Sequence, residues 1–353
     1  MTGGASGRGA RDERLRRGRL VAGLMARALD ARRDPVDLTS ADLEAIQPLL
    51  VRSGAGPLAW WALRDTSLAD DLHAQDLRDL FRMQALRVAI ATSGLQMLVD
   101  ACRARGVDPI VGKGWAVARW YPAQGLRPYG DFDLYAPSTD FATLVDVVKV
   151  LFPKLKTAVD LHRGASYLDD RDFTVLRSRS RLVPVGQTLA RIYGPEDALR
   201  LACLHLLAEG AIRPPWLCDV AAILSKLPDE FDWDYFASGD PRRTEWAFVA
   251  LGLAHDVLGA DISRVPMRQP VRVRPAWIAE SVFTLWGEAP PAKGNRQPVQ
   301  AARRSLKALL LSFLQKWPNP IEATVGVGGR FSETPRLPYQ IADAARRATK
   351  LFA

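Results

Sequence analysis

Apolar residues recur at three- and four-residue spacing over residues 15–29, which predicts an amphipathic helix. After Asp34-Pro35, Thr39 or Ser40 supplies an N-cap for a second helix over 41–50, which Gly54 to Pro57 interrupt. Helical spacing resumes over 58–63 and from 68 to 101, the latter long enough to expect one break. The first ninety residues therefore read as wholly helical. Then the texture changes. Residues 95–105 read as a helix stopped by Gly106, 109–111 as a short apolar strand, 114–120 as a helix and 132–135 as a strand. Further strand candidates lie at 158–161, 173–176 and 182–185, enough for a small mixed sheet. Beyond Pro195 the helical pattern returns. Pro195-Glu196-Asp197 places Pro and acids in a first turn, and the run to Glu209 sets Leu199, Cys203 and Leu206 on one face. Helices are expected at 215–225, 233–237, 245–258, 277–285 and 299–315. Residues 287–298 read as a linker and 318–340 as irregular chain. No internal repeat is visible.

The pattern predicts an α+β protein, its small mixed sheet flanked by N-terminal and C-terminal helical regions. The expected segments are 1–90, a helical region with a basic tail; 91–190, the α/β region; 191–286, a second helical region; and 287–353, a linker and basic helical tail. The length of 353 residues, with 48% apolar and 25% charged residues, fits a folded globular chain and argues against disorder or a fibrous repeat. Cys102, Cys203 and Cys218 are widely spaced and form no CxxC pair, so neither a disulfide framework nor a thiolate zinc site is expected. A reducing cytoplasm is the expected location. No secretory signal or membrane-spanning run is legible.

Charge alters the picture less than its total suggests. The net charge is +9, but residues 1–33 hold nine Arg against three acids, and residues 293–353 hold eleven bases against three acids. The chain between these ends is mildly acidic. Basic flanks of this kind are expected as solvated helix faces or tails, and the total charge does not by itself argue for nucleic-acid binding.

The chemistry concentrates in VGKGWAVARWYPAQGLRPYGDFDLY, residues 111–135. Asp131 and Asp133 are separated by one residue, and side chains at i and i+2 of a strand share a face. Such a pair can hold Mg²⁺ through carboxylate oxygens while other coordination positions take water and phosphate oxygens. That is the arrangement phosphoryl and nucleotidyl transfer use. Two acids on an exposed strand face are also commonly just solvated, and Asp-x-Asp recurs at Asp170/Asp172 and Asp232/Asp234. The context favours chemistry here. Lys113-Gly114 falls at a strand-to-helix turn, where Gly permits close backbone approach and Lys can place a charge on a triphosphate. Arg127 can bind phosphate or hold a carboxylate in place, the structural alternative being an arginine that only braces the loop.

KGWAVARWYP followed by GLRPYGDFDL resembles the uncharacterised nucleotidyltransferases, the fifth nucleotidyltransferase type of the DNA polymerase β-like superfamily. The resemblance continues through VDLHR at 159–163, PEDALRLACLHLLAEG and PPWLCDVAAIL, covering roughly residues 95–225. It implies a polymerase β-like nucleotidyltransferase domain over 91–190. It also implies transfer of a nucleoside monophosphate from an NTP, with ATP the expected donor, to an acceptor, releasing pyrophosphate. Lys113 and Gly114 would lie at the phosphate-binding turn and Asp131 and Asp133 would be ligands for Mg²⁺, two ions being expected. Asp160 would be the third carboxylate, as metal ligand or general base, with Asp169, Asp170 and Asp172 its neighbouring alternatives. The C-terminal helices would shape the acceptor side.

The chain departs from the pattern in two places: the turn Gly112-Lys113-Gly114-Trp115 lacks the usual serine, and Arg163 follows His162 where an aromatic residue is expected. His205 and His162 show no partner at ligand spacing, and His205, among Cys203 and Leu206, reads as a core histidine. Asp219 reads as a cap or pairing partner inside the helical region, and the tryptophans as core. The acceptor is expected to be a small molecule or peptide rather than nucleic acid. The other reading the residues leave open is a non-catalytic protein that binds a nucleotide or a partner on the same scaffold.

Overall fold

The computed structural model describes residues 3–266, 274–288 and 317–352. Its helices α1 (Gly3–Leu29), α2 (Ser40–Ser53) and α3 (Gly56–Leu63) follow the predicted spacing. Thr39 caps α2 in a capping box with Asp42, and Gly54 ends it at φ +82. The stretch expected to break once is instead a single helix, α4 (Leu72–Ala104), which runs through residue 90. It contains no proline, and its buried stripe of Leu77, Val88, Leu95, Leu98 and Cys102 never leaves a packed surface. Its first half meets α2 and α3, its second half the sheet. Among the described residues α4 is the helix long and apolar enough to cross a membrane, and a third of that span is buried inside the protein.

The centre is a five-stranded mixed sheet. Its strands are β1 (Ile110–Gly112), β2 (Asp131–Ala136), β3 (Ala158–Arg163), β4 (Arg181–Val185) and β5 (Thr188–Ile192), in the order β3-β2-β1-β5-β4. β2 runs parallel to β3, β1 runs parallel to β5, and β1–β2 and β4–β5 are antiparallel. One face packs Phe132, Leu134 and Ala190 against α4 and α6 (Ser138–Leu151). The other carries Ile110, Tyr135 and Tyr193 toward α7 (Phe173–Arg179) and α8 (Pro195–Ala208).

Two local readings are corrected. Residues 173–176 are not a strand but the start of α7, because Asp172 accepts the Thr174 N–H as an N-cap and Phe173 and Leu176 then fall on one face. β5 lay unrecognised after the hairpin in which Gly186 takes φ +58, the conformation the first position of such a turn requires.

The remaining helices include α9 (Pro214–Leu224), α10 (Trp233–Phe236), α11 (Pro241–Leu258) and Ala276–Trp286. They bury their apolar faces in one core shared with α1, α2 and α3. Part of 318–340, expected to be irregular, is the helix Pro320–Gly326. Asn319 caps it and Pro320 opens it. The helix expected at 299–315, and nearly all of the linker expected at 287–298, lie outside the described residues. Cys102, Cys203 and Cys218 are free and buried.

Candidate metal and nucleotide site

The site lies where β1, β2 and β3 present one face. The parallel register sets Asp131 opposite Ala158, Asp133 opposite Asp160 and Tyr135 opposite His162. Alternation along both strands therefore puts Asp131, Asp133, Asp160 and His162 on the same side, while Phe132 and Leu134 go to the core. Gly112, opposite Asp133 on β1, completes the floor: a Cβ there would lie 2.6 Å from the Tyr135 ring. Gly114 is buried for a similar reason, its Cβ position lying 2.7 Å from Tyr129 Cβ.

Lys113 begins α5 (Lys113–Val117) at φ +43, a left-handed conformation that costs a non-glycine residue about 1–3 kcal/mol and needs rigid surroundings to persist. Its Nζ donates to Asp133 Oδ1 at 2.7 Å. His162 Nε2 lies 3.0 Å from the same oxygen and 3.3 Å from Asp160 Oδ2, while its Nδ1 lies 3.2 Å from Ser166 Oγ. A hydroxyl can donate or accept, so Ser166 can hold either tautomer of the ring. Tyr135 stacks on the imidazole at 4.3 Å between centroids.

Burial pushes the Asp133 carboxyl upward, but the His162 hydrogen bond and the Lys113 charge outweigh it and hold its pKa below the ordinary value. Asp131 shifts the opposite way, raised by its partial burial and then by the charges of Asp133 and Asp160. Like charges kept this close favour a cation between them.

Ligand atoms of Asp133, Asp160 and His162 lie within 4.8 Å of one another. Two carboxylates and an imidazole within that span are a donor set that fits a divalent cation. Asp131 stands one register pair further along the same face. Asp160 is on the edge strand with 56% of its side chain exposed, whereas Asp133 is 7% exposed. His162 was missed as a member of this group. Asp160, two residues before it, shares its strand face, but Asp133 is reached only across the β2–β3 register, and the cue was the matching alternation of Asp160-Leu161-His162 with Asp131-Phe132-Asp133.

Four sequence candidates sit elsewhere. Arg127 is buried in a two-bond pair with Asp219: Nε donates to Oδ1 and Nη2 to Oδ2, each at 2.7 Å. Asp169 pairs with Arg243, and Asp170 with Arg200, so neither joins the group. Asp172 is the cap of α7.

His205 and Lys113 line a small cavity together with Gly112, Ala116, Tyr193 and Asp219. About 20 Å³ of it admits the centre of a water molecule, room for about one. Burial drives the His205 pKa down to about 3, with the positive charges of Lys113 and Arg127 adding to the effect. A histidine lowered from 6.5 on folding contributes its full stability above the unfolded value and loses it as pH falls toward 3. Between pH 7 and pH 5 this one ring should remove about 2 kcal/mol of folding stability. Urea melts of His205→Leu should show a pH slope shallower by that amount, and an unchanged slope would exclude the assignment.

A family model described as uncharacterised nucleotidyltransferase matches residues 39–259. The match runs from the cap of α2 to the glycine that ends α11 and includes every residue of the site. No curated protein and no solved structure matched the chain.

Proposed function

The chain belongs to this family of uncharacterised nucleotidyltransferases and is a transferase; from that premise we propose that it moves a nucleoside monophosphate from an NTP, with ATP the expected donor, to a hydroxyl of a small-molecule or peptide acceptor, releasing pyrophosphate. The observation that carries the reading is the register pair Asp133–Asp160, with Asp131 and His162 on the same face of the sheet. Asp131, Asp133 and Asp160 would hold two Mg²⁺ ions. Bound there, the ions would supply charge neutralisation for the phosphates and acidify the acceptor hydroxyl.

The protein's own groups do the rest. Lys113, next to Asp133 at the strand-to-helix turn, binds the triphosphate. Asp160, the more exposed of the two carboxylates that His162 touches, faces the acceptor and takes its proton. Arg127 ties the segment that leads into β2 to α9, and so fixes the Asp-x-Asp segment against the helices that would form the acceptor wall. Most of the rate would come from such positioning together with charge stabilisation. The mildly acidic body between the basic flanks disfavours a nucleic-acid strand as acceptor.

Incubation of the full chain with labelled NTP, Mg²⁺ and a metabolite extract should release pyrophosphate and leave the nucleoside monophosphate on an acceptor. No transfer with any NTP and any divalent cation would reject the reading.

A further inference from the structure

Asp133 Oδ1 faces the group formed with Asp160 and His162, and this oxygen already has two partners. The Lys113 ammonium donates to it at 2.7 Å and His162 Nε2 lies at 3.0 Å. Only 16% of the Lys113 side chain and 7% of the Asp133 side chain are exposed. A cation sharing Asp133 with that ammonium would therefore be repelled through a medium far less screening than water. Among the described residues Asp133 is the one acceptor bonded to the ammonium, which also lies over the Tyr167 ring, 5.9 Å from its centroid. An ammonium has three N–H donors, so two remain for an incoming phosphate. The backbone of Lys113 is fixed by its turn, but the four-carbon stem can swing from carboxylate to phosphate without moving β1 or α5.

We propose that Lys113 is an internal counter-ion that occupies the cation position at Asp133 until a triphosphate draws it away, so that nucleotide and divalent cation load the site as a coupled pair. The inference rests on the metal reading above and adds an order to it. In the free protein the carboxylate is neutralised by lysine and holds a divalent ion weakly. Once the ammonium has moved to the phosphates, Asp133 is released to the ion, and by linkage the ion tightens the nucleotide by the same factor. The device also keeps the depressed carboxylate from capturing stray cations.

Mn²⁺ serves as the probe, because its free form is counted directly by electron paramagnetic resonance without any turnover. In nucleotide-free titrations of the full chain, Lys113→Met should bind Mn²⁺ about 5- to 150-fold more tightly than wild type, the usual span of coupling between two sites. Lys113→Arg, which keeps the charge, should stay near wild type. Lys113→Gln provides the neutral variant should the methionine disturb folding, which circular dichroism melts would reveal. A non-hydrolysable NTP, added without metal, should bind wild type more tightly than either neutral variant. Equal Mn²⁺ affinity in wild type and both neutral variants would overturn the counter-ion while leaving the metal site standing. Failure of Mn²⁺ to bind any of them, with or without the nucleotide analogue, would overturn both. Asp133→Asn should abolish the tight binding of the neutral variants, and its persistence there would place the ion elsewhere and overturn the proposal.

Discussion

Asp133→Asn is expected to lower nucleotidyl transfer by about a thousandfold, the scale of removing a principal charge-stabilising group from a site shielded from water. Asparagine preserves the shape of the side chain and its place opposite Asp160, so the β2–β3 register survives. What disappears is the negative charge that Lys113 and His162 converge on. The ammonium left behind is 16% exposed and can turn to solvent, so the melting temperature should move by only a few degrees on the usual scale. Asp160→Asn should cost less, because its carboxylate is more than half exposed on the edge strand and screened accordingly. Pyrophosphate release under saturating NTP, with a thermal melt of each variant, checks the ranking. An Asp133→Asn protein that is folded and fully active would remove the catalytic role of the sheet face.

The legible part of this site was the part encoded within one strand. Asp131 and Asp133 announce themselves because a strand repeats every two residues, and Lys113-Gly114 because a turn between a strand and a helix has its own chemistry. The join between β2 and β3 was not legible. Pairing across the sheet decides that Asp133 meets Asp160 and Tyr135 meets His162, and no local pattern carries a register. His162 looked solitary because its tie to Asp133 crosses that register, although Asp160, two residues before it, shares its strand face. The fold followed the same division: helices with clear start signals, α2 with its Thr39 cap and α8 with Pro195 and acids in its first turn, were readable, whereas β5, with alternating but short and partly exposed residues, was not. Residues 173–176 were misread because Phe-Thr-Val-Leu has strand-like composition, and the Asp172 cap, a single side chain, decided for helix. The continuity of α4 came from outside it, since a helix of that length is held by the surfaces it crosses rather than by its own propensity.

Arg127→Leu should destabilise the protein by about 3–5 kcal/mol, the range for removing one partner of a buried ion pair. Asp219, which accepts both guanidinium bonds and a third from Tyr121 Oη at 2.7 Å, would be left as a charge with a single hydroxyl partner. Side-chain exposures of 9% and 7% show that neither member reaches water to compensate. The pair joins the loop before β2 to α9, so its loss should loosen the approach to Asp131 and lower transfer even at temperatures where the chain remains folded. Arg127→Leu combined with Asp219→Leu removes both charges and should recover most of the stability, since a buried pair replaced by apolar groups is close to neutral. Freed from Asp219, the Tyr121 hydroxyl can turn its one proton to Pro215 O, 3.1 Å away. The double variant also separates two roles for Arg127. If it braces the loop, stability and affinity for a non-hydrolysable NTP return together. If it contacts phosphate, stability returns and affinity does not, and Arg127 would then have to leave Asp219 when nucleotide binds. The geometry favours the brace, because a guanidinium already matched to a carboxylate by two 2.7 Å bonds gives up more on leaving it than a solvated arginine would.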